Sequence, residues 1–188
     1  LPDYSLEDEL PDGPELPLTF EHDFTEGLPA NKVWGGGREG WHFHKQELPT
    51  GVRISKRGGW YSHHTLSFPI RVEGDFDIRL EYEDLQTTVV PGDEGDVQLG
   101  LIFEDDLETD FRLYRKHQHH KNGEHKQVVA VGLFQQLPNH AQNKWPTRYV
   151  EESNAGTMRC VRRGDQLFLL HAAKGSPHFR LLHRREVT

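Results

Sequence analysis

Apolar and polar positions alternate with a period of two along much of the chain. Phe76, Ile78, Leu80 and Tyr82 are interleaved with Asp77, Arg79, Glu81 and Glu83, the pattern of a strand with one buried and one wet face. Val97, Leu99, Leu101 and Phe103 repeat it, with Ile102 as a break. Phe111 to His117 and Gln127 to Phe134 form a further pair, joined through Lys121-Asn122-Gly123-Glu124. Asn-Gly favours a type I′ hairpin turn because both residues tolerate positive φ. Thr157 to Arg163 and Gln166 to Ala172 flank a second tight turn, Gly164-Asp165. Phe179, Leu181 and Leu182 predict a last strand, and Phe20 to Phe24, Gly51 to Lys56 and Leu66 to Val72 predict earlier ones. Residues 136–156, interrupted by Pro138 and Pro146, are expected to form a long loop.

Short strands separated by glycine and proline turns, with no sustained helical periodicity, predict an all-β, two-sheet antiparallel sandwich. The hydrophobic fraction of 34% suits strands that bury only one face. Residues 1–17 hold four prolines and six acids, too many to build a ladder or an amphipathic helix. They are expected to form an extended linker or arm, with a single β-sandwich domain over 18–188.

A net charge of −8, from 22 basic and 30 acidic residues, argues against general nucleic-acid binding. Cys160 stands alone, so no intrachain disulfide can form. No run of about 18 apolar residues predicts a membrane span. The chain opens at Leu1 on an acidic linker; the expectation is a piece of a longer, exported protein in an extracytoplasmic setting.

Three segments together resemble one family pattern. Phe20-Glu21-His22-Asp23-Phe24 before Gly27-Leu28-Pro29 is similar to the first strand of concanavalin A-like, laminin-G-like domains. Gly74-Asp75-Phe76-Asp77-Ile78 resembles their "Gly-Asp-Phe" strand start. Gly156 to Phe168, containing Arg163-Gly164-Asp165, resembles their hairpin near the C-terminus. Within that superfamily the chain looks most like a domain of unknown function found chiefly in planctomycete bacteria. The resemblance implies a jelly-roll sandwich over residues 18–185 whose concave sheet face is the usual ligand surface. It implies little about activity, since this fold hosts lectins, glycan-binding modules, glycosidases and interaction domains.

Candidate chemistry is sparse. Glu21, Asp23 and Glu26 match the Glu-x-Asp-x-x-Glu pattern of retaining glycosidases of this fold, which hold two carboxylates about 5–5.5 Å apart. Here the motif sits on the first strand instead of a central one, so coincidence is the preferred reading. For ligand binding, Trp60, Tyr61 and His63 follow Gly58-Gly59, while Arg112, Tyr114 and Lys116 share one face of a strand. Rings that stack on sugars beside planar hydrogen-bonding groups make a glycan surface; Trp145 and Tyr149 are expected at its rim.

His117, His119, His120 and His125 cluster at the Asn122-Gly123 turn. A two-residue turn would set His120 opposite His125, about 5 Å apart, close enough to chelate zinc, nickel or copper, but a solvated polar hairpin tip that takes metal only adventitiously is the preferred reading. His117 would join only if the hairpin curls. The pairs His42 and His44, and His63 and His64, have no accompanying cysteine or carboxylate at a recognised ligand spacing. The acidic stretches 104–110 and 92–96 offer oxygens to calcium but lack EF-hand spacing, and are read as solvated loops. Cys160, next to Met158 and opposite Leu169, is expected to be a buried hydrophobe and not a nucleophile. The expected function is therefore a non-catalytic module recognising a glycan or a protein, with no cofactor, a divalent metal or calcium being left open as alternatives. A glycoside hydrolase or lyase, and a purely structural domain, are the alternatives.

Overall fold

Twelve strands and no helix make up the regular structure of the described residues. The computed structural model describes residues 33–36, 43–48, 51–56, 64–67, 72–85, 95–104, 109–120, 122–137 and 140–187. Side chains are described over 72–85, 112–117, 122–132 and 149–187, with Gln46, Leu48, Arg53 and His120. The chain divides into two units, Pro17–Glu73 and Gly74–Thr188 with Leu1–Leu16.

In the first unit, β1 (Val33–Gly36) pairs antiparallel with β4 (His64–Ser67). β2 (Phe43–Leu48) pairs antiparallel with β3 (Gly51–Lys56), from Phe43 opposite Lys56 to Leu48 opposite Gly51. Of the strand expected from Leu66 to Val72, Leu66 and Ser67 belong to β4, Val72 lies outside any strand, and residues 68–71 lie outside the described residues. The expected strand at Phe20–Phe24 lies outside the described residues.

The second unit holds two four-stranded antiparallel sheets. β6 (Gly95–Glu104), β7 (Thr109–His119), β8 (His125–Leu137) and β9 (His140–Val150) follow one another as a meander. β10 (Gly156–Arg163), β11 (Gln166–Ala173) and β12 (Arg180–Glu186) form a second meander, with β5 (Phe76–Tyr82) completing the sheet on the free side of β10. The chain therefore crosses between sheets after β5 and again after β9. Leu113, Val129, Val131 and Tyr149 from the first sheet pack in one cluster with Tyr82, Met158, Cys160, Leu167, Leu169 and Leu182 from the second. The two sheets thus bury a common apolar layer, a sandwich-like arrangement. Phe76 and Leu80 pack on that cluster, as their alternation predicts.

The other face of the second sheet is apolar too. Val161, Phe168, Leu170 and Leu181 are buried there, with Phe179 packed against them. Burial of both faces explains why Leu167-Phe168-Leu169-Leu170 is a continuous apolar run.

Turn chemistry sets the hairpins. Arg163 faces Gln166 across Gly164-Asp165. Gly164 has φ +58 and Asp165 is not in the positive region, which is the type II′ form with glycine first. Asp75 Oδ1 accepts the Gly164 N–H at 2.7 Å, so the Gly-Asp-Phe segment and the Arg-Gly-Asp hairpin meet directly.

Two expectations need correction. Residues 136–156 are not a long loop, because β9 occupies 140–150. Pro146 is accommodated because β9 is an edge strand and because Trp145 and Pro146 together stand against Gly132, where the register shifts. The β7–β8 turn is also longer than two residues: His119, not His120, stands opposite His125. The His120 N–H donates to Glu124 O at 2.9 Å and the Gly123 N–H to His120 O at 2.8 Å. With φ +81 at Gly123, this is a three-residue loop closed by a left-handed glycine, the usual alternative to a I′ turn.

Candidate functional site

The polar groups buried between the two sheets form one connected arrangement. Alternation along β11 turns His171 to the same side as Leu167 and Leu169, into the shared layer, and leaves it 1% exposed. The Tyr82 hydroxyl on β5 lies 2.9 Å from its Nε2. Its Nδ1 is hydrogen-bonded to the hydroxyl of Tyr149, which reaches across from β9 of the opposite sheet. A Cβ on Gly156 of β10 would lie 2.5 Å from Ala172 O and 3.0 Å from both His171 Nε2 and Tyr82 Oη. Only glycine leaves room for this junction.

Arg115 of β7 supplies the charge. It is fully buried. Its Nη1 donates to the carbonyls of Lys116 and Val128 at 2.9 and 3.3 Å. Its Nη2 donates to Gln127 Oε1 at 2.5 Å and to the carbonyls of Glu151 and Ser153 at 2.8 Å each. These acceptors come from β7, β8 and the β9–β10 crossing, so one guanidinium ties three backbone segments together. A planar fork with five donors can do this, whereas an ammonium cannot.

The electrostatics make the arrangement inert near neutrality. Burial, then the cations Arg115 and Arg180, pushes His171 down to about 4. Burial pushes the Tyr82 hydroxyl up to about 12, against the pull of the nearby Arg115 guanidinium. Burial raises Tyr149 as well, with a further rise from the Glu151 carboxylate. A neutral imidazole has one donor and one acceptor nitrogen. One of the two tyrosine hydroxyls therefore donates to the ring and the other accepts from it. Such a group bridges the sheets as an uncharged ring at pH 7.

On the opposite face of the second sheet, Asp77 receives Arg159 through both oxygens at 2.9 and 2.8 Å. Arg79 adds a longer contact at 3.3 Å. Phe179, carried over this face by the β11–β12 connection, lies under both guanidinium carbons, at 5.1 Å for Arg159 and 5.8 Å for Arg79. The Arg159 side chain is 8% exposed and that of Arg79 is 53% exposed. One guanidinium is thus part of the packing and the other faces solvent.

The sequence-predicted site residues divide between these regions. Trp60, Tyr61 and His63, like Glu21, Asp23 and Glu26, lie outside the described residues. Arg112 and Tyr114 do lie together on β7, with Arg112 Nη1 donating to Tyr114 Oη at 3.2 Å. Tyr114 is buried, however, and Arg112 half-buried. Tyr149 is a core residue of β9 and not a loop-rim residue. His120 is half-buried, His125 is exposed, and the His117 and His125 rings have centroids 6.0 Å apart. Among the described residues no group of three or more His, Cys, Asp and Glu side chains is placed to hold a metal ion. No helix among them is long and apolar enough to cross a membrane. Cys160 is fully buried, and burial pushes its thiol well above the usual range.

Arg115 and His171 were missed by sequence reasoning, although each carries a signal. Both stand at the apolar parity of their strands, Arg115 with Leu113 and His171 with Leu169. A polar group at an inward position needs buried partners.

Fold and interior together define an all-β domain of two antiparallel sheets bridged by buried hydrogen bonds. The chain belongs to the family described as protein of unknown function (DUF1583), C domain, whose model matches residues 1–188. No curated protein and no solved structure matches the chain.

Proposed function

We infer that the chain is a non-catalytic recognition module of a larger protein, binding a glycan or a partner protein, on a jelly-roll of the concanavalin A-like type. The observation that carries this reading is the state of the buried ionisable groups. His171 is held low, while Tyr82, Tyr149 and Cys160 are held high. General acid–base or nucleophilic work at neutral pH asks for the reverse, groups brought toward pH 7. The surface beside Arg79 supports recognition instead. It sets a solvent-facing guanidinium next to a carboxylate and a phenyl ring, groups that bind sugar hydroxyls and protein partners alike.

A glycan array with and without calcium, followed by chemical-shift mapping of any hit, tests the reading. Expected is saturable binding that is weakened by Arg79→Ala at unchanged melting temperature, with no product formed. Release of new reducing ends or unsaturated sugars from a polysaccharide, abolished by Glu21→Gln or Glu26→Gln, would replace it with the hydrolase or lyase reading.

A further inference from the structure

The tip of the β7–β8 hairpin carries a reactive pair of residues that the recognition reading does not use. Asn122 and Gly123 are both exposed. Of the five asparagines in the chain, Asn122 alone precedes a glycine. An asparagine carboxamide and the peptide nitrogen that follows it can close a five-membered imide. A side chain on the following residue obstructs that closure, and glycine has none.

The turn arranges the carboxamide for this reaction. The Glu124 N–H donates to Asn122 Oδ1 at 3.0 Å, an Asx turn that folds the side chain forward along the Gly123 peptide unit. The same N–H meets the negative charge that develops on Oδ1 when the carboxamide is attacked, as a donor in an oxyanion hole does. Gly123 has φ +81, and a Cβ built on it would find no atom within 4 Å, so open space surrounds the reacting unit. The Gly123 N–H donates to His120 O at 2.8 Å. That bond must open before the nitrogen reacts, which slows the step by about tenfold at most, since one exposed backbone hydrogen bond is worth little in water.

We propose that Asn122 is a site of spontaneous deamidation through a cyclic imide, with water as the only co-reactant. The Gly123 nitrogen gives up its proton to solvent and bonds to Asn122 Cγ. The Cγ–Nδ2 bond then breaks, and the departing nitrogen takes up a proton from water and leaves as ammonia. Water next opens the imide at either carbonyl. Breaking the bond between Gly123 N and Cγ gives aspartate on an unchanged backbone. Breaking the bond between Gly123 N and the residue 122 carbonyl carbon gives isoaspartate, whose main chain runs through Cβ and Cγ. No atom is oxidised or reduced.

Either product adds a negative charge beside Glu124, whose carboxylate pairs with Lys126 at 3.0 Å. Isoaspartate also lengthens the tip by one backbone atom, against the closure in which the His120 N–H donates to Glu124 O.

The test is incubation of the folded full chain at pH 8, followed by peptide mass mapping, an enzymatic isoaspartate assay and measurement of released ammonia. Expected is a gain of about 1 Da in the peptide that holds Asn122, with aspartate and isoaspartate both present. Asn154, exposed but followed by Ala155, should convert at least about tenfold more slowly. Gly123→Ala and Asn122→Gln should each lower the rate by about tenfold or more, the first by placing a Cβ beside the nitrogen and the second by requiring a six-membered ring. Asn122→Gln keeps the test sound, because Gly123→Ala also strains a positive φ. A urea-unfolded sample gives the reference rate, and the native rate should lie within about tenfold of it. A native rate further below the reference, aspartate formed without isoaspartate, or an unchanged rate in Asn122→Gln would each overturn the site.

Discussion

The hydroxyl of Tyr149, on the edge strand of one sheet, is hydrogen-bonded to Nδ1 of His171, in the interior of the other. Apolar packing between the sheets is non-directional, so it fixes how much surface is buried but not how the sheets are aligned. A hydrogen bond across the layer adds direction. Tyr82 holds the second nitrogen from within the sheet of His171, which sets the ring for Tyr149. Removing one partner leaves a buried polar atom unsatisfied. Tyr149→Phe and Tyr82→Phe are each expected to cost about 1–3 kcal/mol in urea unfolding. The double variant should cost less than their sum, because the two act on one imidazole.

Protonation of His171 opposes folding. Its folded value lies near 4, below the ordinary 6.5. Between these limits the unfolded chain binds a proton that the native chain does not. The contribution is complete above pH 6.5 and is lost as pH falls toward 4, by up to about 3 kcal/mol. Melting curves of the parent and of His171→Gln over pH 4–7 check this. The parent should lose more stability than the variant as the pH falls.

Arg115 should not tolerate lysine. An ammonium cannot reach the carbonyls of Val128, Glu151 and Ser153 and the Gln127 amide together. Arg115→Lys is expected to destabilise by about 2–4 kcal/mol in chemical denaturation, from lost charge-assisted bonds. Hydrogen exchange should rise first at residues 151–155, the crossing that Arg115 holds.

The two arginines at Asp77 should differ. Arg79→Ala removes an exposed pair worth less than about 1 kcal/mol. Asp77→Ala also leaves the guanidinium of Arg159 buried without its carboxylate, at a cost of about 3 kcal/mol. Equilibrium unfolding of both variants gives the comparison.

The strands facing the shared layer were legible because period-two alternation is a direct record of one-sided burial. Phe76, Leu80 and Tyr82 show this. The Gly164-Asp165 hairpin was legible for a similar reason, since a two-residue loop with glycine has few conformations. β9 was not, because Pro146 argues against a strand unless the strand is at an edge and bulged, and edge position is decided by tertiary pairing. The one-residue error at Asn122-Gly123 has the same origin: I′ and three-residue loops both use a glycine at positive φ. Of the buried polar network, the residues were visible at inward positions but their partners were not. Tyr149 and His171 belong to strands of different sheets, and no local pattern pairs them.

Cys160 offers an independent check on the closed interior. Burial and the nearby Asp77 carboxylate both hold its thiol in the protonated form. Reaction with a disulfide reagent at pH 8 should proceed only at the rate of unfolding, and urea should accelerate it.

The most direct measurement is the ¹⁵N and ¹H NMR titration of the His171 ring. A ring clamped between Tyr82 and Tyr149 should stay neutral from pH 7 to near pH 4, in one fixed tautomer and with cross-relaxation to Tyr149. A ring that titrates near 6.5, with exchanging tautomers and no contact to Tyr149, would contradict the bridge between the sheets.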